Sequence, residues 1–320
     1  MLSSIGWAAM ALASRLKPGG VIVNEHVLTR DQLRVHVDAL GRWFDFIHPD
    51  ELPARLRRRG RKPFCLLTFD DCHRSNATVV APELERLGVP AAFYVVTGFV
   101  GTDQVLWFTL YNLLRKKLGA PPPGLGPLAV KQLPHDLRLD RIQRACARHG
   151  VTPDLSDEDV TAMTWTHVRD LQRRGFVIGA HGETHAIMTR ESRQSALDNI
   201  GLSIARVARE TGAPCTTFAF PNGNYTAELA RHAVRCGARL VMTAEPTWVD
   251  EQFPLWRLPR VQLFDRQDRA TIELKIAVGA AGRWLPSGDG TGRVYRDINR
   301  LARARARREA RSGERVVTAG

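Results

Sequence analysis

The sequence predicts an α/β fold built on a mainly parallel sheet. Short runs of β-branched and aromatic residues alternate along the chain with stretches of helical periodicity, as in folds whose strands are joined by helices. The run from Phe64 to Phe69 is almost wholly apolar, which is typical of a strand covered on both faces. Hydrophobic residues make up 44% and charged residues 25% of the 320 positions, the composition of a globular protein with a sizeable buried core.

These patterns place each element in order. The predicted strands lie near residues 21–23, 64–69, 91–96, 176–180, 216–220, 239–243 and 257–263. Thr29 and Gln32 have the spacing of a capping box, which predicts that a helix begins there. A second helix is predicted from about residue 76 to Gly88, and a third, with apolar residues at helical spacing, ends at Gly212.

Three segments depart from this alternation. Residues 101–165 carry helical patterns but little strand signal, and include the stretch 119–127, which is too rich in proline and glycine for helix or strand. We predict a helical insertion there, on a surface of the fold. Residues 1–19 form an apolar segment and residues 283–320 an Arg-rich tail, which leaves 20–282 as the main domain.

The chain is strongly basic, with 46 lysines and arginines against 33 acidic residues and a formal charge of +13. Such a surplus fits a nucleic acid, an anionic membrane or an acidic polymer as partner. The sequence contains no zinc-finger, RNP or aromatic-interleaved basic pattern, so we expect no specific nucleic acid. Nearly half of the surplus lies in the tail, which could make peripheral contact with an anionic membrane.

Cysteine usage and the N-terminus bear on the compartment. The five cysteines are widely spaced and form no C-x-x-C pair, which argues against a disulfide framework and against a cysteine zinc site. The N-terminal segment lacks the basic start of a secretion signal, and its first charged residue is Arg15. We expect a cytoplasmic protein, with a peripheral position at the inner membrane face as the alternative.

Two adjacent carboxylates, Asp70 and Asp71, follow the apolar strand 64–69. Active sites of α/β folds lie at the carboxyl ends of strands. Adjacent like charges are costly unless a cation neutralises one of them, and the other carboxylate is then available as a base. The alternative is a solvent-facing pair that caps the next helix.

Two histidines, His181 and His185, follow another predicted strand. Four residues apart, they would meet on one side if the segment turned helically, and such a pair can bind one metal ion. Alone the pair is a weak signal. Together with an aspartate at a second strand end it gives a three-ligand set that leaves positions for water and a substrate carbonyl.

A family resemblance rests on four segments: Thr68-Phe69-Asp70-Asp71 with the following Cys72 to Asn76, Gly88 to Gly98, His181-x-x-x-His185, and Phe218-Ala219-Phe220-Pro221-Asn222-Gly223-Asn224-Tyr225. They resemble the polysaccharide deacetylase superfamily, the NodB-homology domains of carbohydrate esterase family 4, over roughly residues 20 to 265. The resemblance implies a distorted (β/α) barrel. It implies that Asp70 is the catalytic base and that Asp71, His181 and His185 hold a divalent metal, with zinc the first expectation and Fe, Co or Ni alternatives.

The general acid is expected to be His26. Many family members carry the acid in a late Leu-x-His motif, and this chain has no histidine after His232. In another branch, the poly-N-acetylglucosamine deacetylases of biofilms, the acid is a histidine after the first strand. This chain resembles that branch, because His26 occupies the same place. We expect substrate contacts from Pro221, Asn222, Tyr225 and Trp256, and the resemblance implies a backbone N–H near Asn222 as the second oxyanion donor.

Two positions depart from the family pattern. Cys72 stands where glycine is usual, and Ala219 replaces the usual arginine of the third motif. The predicted function is metal-dependent removal of N-acetyl groups from N-acetylated sugars in a polysaccharide, an oligosaccharide or a lipid-linked glycan. A deformylase or another linear-amide hydrolase is the alternative within the superfamily. A catalytically inactive module that binds glycan or nucleic acid is the alternative outside it.

Overall fold

The computed structural model describes residues 18–58 and 60–281. The predicted segment 1–19, apart from its last two residues, and the predicted tail 283–320 lie outside them, and the domain bounds stay a prediction. The strands are β1 Gly20–Glu25, β2 Asp45–Phe46, β3 Phe64–Phe69, β4 Ala91–Val95, β5 Val177–Ala180, β6 Thr217–Ala219, β7 Leu240–Met242 and β8 Val261–Gln262. The helices are α1 Arg30–Gly41, α2 Leu52–Arg57, α3 Ala81–Leu87, α4 Trp107–Leu118, α5 Pro127–Gln132, α6 His135–Arg148, α7 Trp165–Arg173, α8 Arg193–Thr211, α9 Ala227–Arg235 and α10 Arg269–Ala281.

The chain divides into two compact units. The first contains the described residues up to Leu67, together with Glu245–Phe253 and the described residues from Pro259 onward. The second contains Thr68–Ala244 and Pro254–Leu258. β3 begins in the first unit and ends in the second, so its carboxyl end belongs to the second unit.

In the first unit, β1 lies between β3 and β8. β1 is buried along its whole length and pairs in parallel with β8, with Val23 opposite Val261. β2 pairs in parallel with the start of β3. The predicted capping box is confirmed, because the Thr29 side chain accepts from the Gln32 N–H and the Gln32 side chain accepts from the Thr29 N–H. α1 and α10 pack against each other in this unit.

In the second unit, the strands follow the order β7, β6, β5, β4, β3. The pairs among β4, β5, β6 and β7 are parallel, with Val95 opposite Ala180 and Ala180 opposite Phe218. Parallel pairing brings the carboxyl ends of these strands to one edge of the sheet. The polar residues that follow them therefore lie close together.

A glycine in β5 allows a contact across the sheet beneath that edge. The Tyr94 hydroxyl of β4 lies 2.6 Å from Thr217 Oγ1 of β6, so its side chain passes over β5. A Cβ atom on Gly179 would approach the Tyr94 ring to 2.5 Å. Only glycine at this position leaves room for the tyrosine.

The predicted insertion contains three helices, α4, α5 and α6, and they share an apolar cluster. Its buried members are Val105, Trp107, Leu110, Tyr111, Leu114, Leu125, Val130, Ile142, Ala145, Cys146 and Ile187. All belong to the segment 101–165 except Ile187, which lies two residues after His185. The insertion thus packs directly on the loop that carries the two histidines.

The predicted strands agree with the structure to within one or two residues, with one exception. The strand expected at 257–263 is reduced to the two residues of β8, because Pro259 has no N–H to donate to a ladder. The predicted helix ends at Gly88 and Gly212 are confirmed, and both glycines have a left-handed backbone. Among the residues that the structure describes, no helix is both long and apolar enough to cross a membrane.

Candidate active site

Four predicted residues come together at the carboxyl ends of two strands of the second unit. Asp70 and Asp71 directly follow β3, and His181 directly follows β5. His185 lies four residues further along the same loop. All four side chains are buried.

The Asp71 carboxylate lies between the two imidazoles. Its Oδ1 is 3.0 Å from His185 Nε2 and 3.4 Å from His181 Nε2. The Asp70 carboxylate is slightly further away, with Oδ2 at 3.8 Å from His181 Nε2. One ligand atom from each of Asp71, His181 and His185 lies within 4.8 Å of the others. This spacing is compact enough for the three to share one ion.

The two histidines are held differently. His181 Nδ1 lies 2.8 Å from the Ala219 carbonyl at the end of β6, and since a carbonyl can only accept, Nδ1 donates to it and leaves Nε2 facing Asp71. His185 Nδ1 is buried and has no hydrogen-bond partner among the described residues. Burial lowers the pKa of His185, with the Asp71 carboxylate acting in the opposite direction. Burial therefore favours the neutral imidazole, the form that binds metals.

Left-handed backbone conformations concentrate in these loops. Among the described residues, the non-glycine positions with positive φ are Asp71 at 73°, Cys72 at 55°, His185 at 56° and Asn222 at 56°. Each such residue costs free energy that the surrounding structure must offset. His181 and His185 come together without the helical turn that would place both on one side. The segment between them is an irregular loop, and positive φ values at Gly182 and His185 turn the second imidazole back toward the first.

The loop of the third motif packs beside this histidine loop. A Cβ atom built on Gly182 would lie 3.7 Å from the Pro221 ring, so Pro221 adjoins the segment between the two histidines. Asn222 follows with an exposed side chain, and the Tyr225 ring packs 5.9 Å from that of Phe220. The structure thus places Pro221 beside the loop that carries the two histidines, with Asn222 the next residue along the chain.

The insertion supplies aromatic rings that sequence analysis missed. α4 begins with Trp107 and Phe108, whose ring centroids lie 6.4 Å and 5.0 Å from that of His185. These residues precede His185 by more than seventy positions, and no local pattern connects them with it. An aromatic pair at the start of the first insertion helix was the one available signal.

A lysine of the insertion reaches the third motif and was also missed. Lys131, in the last turn of α5, has its Nζ 2.5 Å from Asn222 Oδ1. Asn222 in turn donates its side-chain amide to Asn224 Oδ1. Proline and glycine around α5 predicted a loop or hinge, and they gave no indication of this contact.

The three clustered donors fit a divalent cation. One carboxylate oxygen and two imidazole nitrogens form the mixed N/O set found in catalytic zinc sites, where further positions stay open. The donors are buried, and His181 already has its second nitrogen engaged by a backbone carbonyl, as metal-binding histidines usually do. The residues present therefore match what a catalytic metal requires.

Residues 57–241 match the model of the family described as polysaccharide deacetylase. The chain belongs to this family. The match spans Asp70, Asp71, both histidines and the third motif, so the residues that carry the predicted resemblance all lie inside it. Among curated proteins, none matches the chain.

Solved structures of deacetylases share the fold. IcaB from Ammonifex degensii is 17% identical, with a TM-score of 0.56 over 82% of this chain and 97% of its own. The Streptococcus pyogenes deacetylase PplD in complex with acetate is 14% identical, with a TM-score of 0.55 over 79% and 96%. The BpsB deacetylase domain from Bordetella bronchiseptica is 14% identical, with a TM-score of 0.53 over 78% and 97%. These likenesses confirm the predicted fold class, a distorted (β/α) barrel of the polysaccharide deacetylase type.

The backbone at Cys72 shows why glycine is usual in the family at this position. The position adopts a left-handed backbone, which glycine reaches without strain and cysteine does not. The Met163 N–H donates to the Cys72 carbonyl at 2.8 Å, a contact from the end of the insertion that helps to hold this conformation. Burial raises the pKa of the Cys72 thiol to about 12, so it stays protonated at neutral pH and is not a nucleophile.

Two further predicted residues lie in other segments of the chain. Trp256 lies two residues before Leu258, which pairs in parallel with Met242, so Trp256 is on the amino-end side of β7. The Arg231 guanidinium lies over its ring at 5.4 Å and covers one face. His26 directly follows β1 in the first unit and is half-buried. Their assigned roles in substrate binding and acid catalysis stay predictions.

Proposed function

We propose that this chain is a metal-dependent hydrolase that removes N-acetyl groups from N-acetylated sugars in a polysaccharide, an oligosaccharide or a lipid-linked glycan. The observation that carries the proposal is the buried cluster of Asp71, His181 and His185 with Asp70 beside it. Membership of the polysaccharide deacetylase family gives the reaction class. The acetate recorded with the S. pyogenes enzyme is the product expected from this chemistry.

An amide is a poor electrophile, so its hydrolysis needs a polarised carbonyl, an activated water and a protonated leaving group. A divalent cation, with zinc the first candidate, supplies Lewis acidity toward the acetyl carbonyl and lowers the pKa of water. Asp71, His181 and His185 are the residues that would hold it. The other steps fall to groups of the chain itself.

Asp70 is the proposed general base. Its carboxylate is buried and 3.8 Å from the His181 imidazole, so it faces the same small volume as the metal ligands. It takes the proton of the attacking water while the water oxygen adds to the acetyl carbon. A second group must act as the general acid, because the sugar nitrogen must gain a proton as the C–N bond breaks.

His26 is the proposed acid for that nitrogen, and the Asn222 N–H the proposed second oxyanion donor. The support for Asn222 is its position in the loop that adjoins Gly182 through Pro221. The support for His26 is its place after the first strand, as in the resemblance described above. The products are acetate and a free amine on the sugar.

The test is acetate release by the purified protein from a panel of N-acetylated oligosaccharides. Asp70→Asn removes the base but keeps the shape of the side chain, and we expect turnover to fall by about 100- to 10,000-fold. Asp103→Asn is the matched control, since Asp103 is an exposed aspartate of the insertion and should leave turnover unchanged.

Formate release from N-formylated sugars, measured in parallel, separates the deformylase alternative. Full activity in Asp70→Asn, or no amide hydrolysis by the wild-type protein loaded with zinc, would contradict the proposal. The second result would favour a module that only binds its glycan. His26→Ala tests the acid separately, and wild-type turnover in that variant would remove His26 from the mechanism.

A further inference from the structure

The insertion places a lysine beside the third motif. Lys131 has an exposed side chain, and its ammonium lies 2.5 Å from the neutral Asn222 side chain. No carboxylate among the described residues lies within 4 Å of Nζ, in contrast to many surface lysines and arginines of this chain. The ammonium is therefore paired with an amide dipole of the third motif rather than with a carboxylate.

A second cation, Arg138, lies near enough for its charge to act on Lys131. The Arg138 side chain of α6 is fully buried, with its guanidinium 4.7 Å from the Trp107 ring and two of its nitrogens donating to the Val130 and Leu133 carbonyls. Its Nη1 is buried without a hydrogen-bond partner among the described residues. Trp107 also packs on His185, so Arg138 stacks on a ring that itself packs on the candidate active site.

Two acidic residues lie near Arg138 and His135. Glu191 accepts from the His135 backbone N–H at 2.8 Å, and its charge partly opposes the lowering of the Arg138 pKa by burial. The charge of Asp136 likewise opposes the lowering of the His135 pKa. Burial lowers the pKa of His135 to about 4, so His135 is neutral at pH 7. Partial desolvation and, after it, the charge of Arg138 lower the pKa of Lys131. An anion next to Nζ would offset both effects.

We propose that Lys131 is the recognition point for an oxyanion on the substrate, a carboxylate or a phosphate carried by the acetamido sugar or by its neighbour. The proposal rests on the proposed deacetylase function and adds a substrate class to it. Asn222 would hold the ammonium in place until the anion arrives. The fixed charge of Arg138 favours the same sign of ligand without touching it.

The test compares matched substrates that differ by one charge. N-acetylglucosamine linked to glucuronic acid is compared with the same sugar linked to glucose, and N-acetylglucosamine 1-phosphate with its methyl glycoside. We expect the wild-type ratio of kcat/KM to favour the anionic member of at least one pair. The pair that shows the preference identifies a carboxylate or a phosphate as the source.

Variants of Lys131 connect that preference with this residue. In Lys131→Met we expect the anionic-to-neutral ratio to fall by about 10- to 100-fold, since a charge-assisted hydrogen bond is lost. Lys131→Arg should keep most of the ratio. Lys117→Met removes an exposed lysine of the same insertion and should keep the wild-type ratio.

Binding of inorganic phosphate and of free glucuronate, measured by calorimetry, gives a readout that needs no turnover. At least one should bind the wild-type protein and Lys117→Met, and should bind Lys131→Met more weakly. The proposal is overturned if neither anion binds the wild-type protein, if both substrates of each pair lose turnover equally in Lys131→Met, or if Lys117→Met has the same effect. Hydrolysis of the neutral substrates would still support the deacetylase function in each of these cases.

Discussion

Both compact units hold a carboxylate against an imidazole at the end of a strand, but in different surroundings. In the first unit, Glu25 ends β1 and its Oε1 lies 2.7 Å from His36 Nδ1 of α1, with both side chains buried. In the second unit, Asp71 follows β3 and lies between His181 and His185. The first arrangement is one-to-one and joins regular elements. The second has one carboxylate near three imidazoles, since the buried His73 Nε2 also lies 3.9 Å from Asp71 Oδ2, and it has a further carboxylate beside it.

The backbone separates the two arrangements further. Among the described residues of the first unit, no non-glycine residue has a positive φ, whereas Asp71 and His185 both do. Strain of this kind persists where it serves a purpose other than stability. We infer that the Glu25–His36 pair stabilises the fold, and that the Asp71 cluster is arranged for a ligand.

The largest expected effect is the loss of acetate release when a proposed metal ligand of the Asp71 cluster is replaced. Asp71→Asn and His185→Gln each remove one donor and should lower acetate release by at least about 1000-fold, because the Lewis acid is lost. The free energy of unfolding should change little, or rise in Asp71→Asn, since that change removes a buried charge and keeps the shape of the side chain. Steady-state kinetics and urea denaturation measure the two quantities. A variant that unfolds but stays active when folded would reverse the assignment.

A change in the Glu25–His36 pair should instead lower the free energy of unfolding. Glu25→Gln replaces the buried carboxylate beside His36 with a neutral amide, and we expect the free energy of unfolding to fall by about 1–3 kcal/mol. Replacing both residues by apolar ones, Glu25→Met with His36→Leu, should cost less than the single change. Urea denaturation of the three proteins tests this order. Unchanged stability in Glu25→Gln would break the comparison.

A smaller effect is expected where the insertion contacts the cluster. Phe108→Ala removes the ring that lies edge-on to His185 and should weaken zinc affinity by about 2- to 12-fold, the equivalent of one aromatic contact. Phe108→Leu keeps apolar packing and should lie between that variant and the wild type. Competition with a chelating dye measures the affinities. Equal affinity in all three would mean that the ring does not orient His185.

The sequence was most informative about functional side chains that directly follow a strand. Asp70 and Asp71 after an apolar run, and His181 after another, were found because parallel strands bring their carboxyl ends to one edge. The way in which His185 converges could not be predicted, since its left-handed backbone has no sequence signal in a non-glycine residue. The roles of Phe108 and Lys131 depend on packing between distant segments, which no local pattern reports. Membrane contact and localisation stay predictions.

The central claim is that the Asp71 cluster holds a divalent cation and that the Glu25–His36 pair does not contribute to it. The direct measurement is the amount of zinc bound per chain after loading and desalting, in the wild type, Asp71→Asn and Glu25→Gln, with circular dichroism confirming that each is folded. We predict about one zinc per chain in the wild type and in Glu25→Gln, and far less in Asp71→Asn. A wild-type protein without zinc, or an Asp71→Asn variant that binds as much as the wild type, would contradict the account.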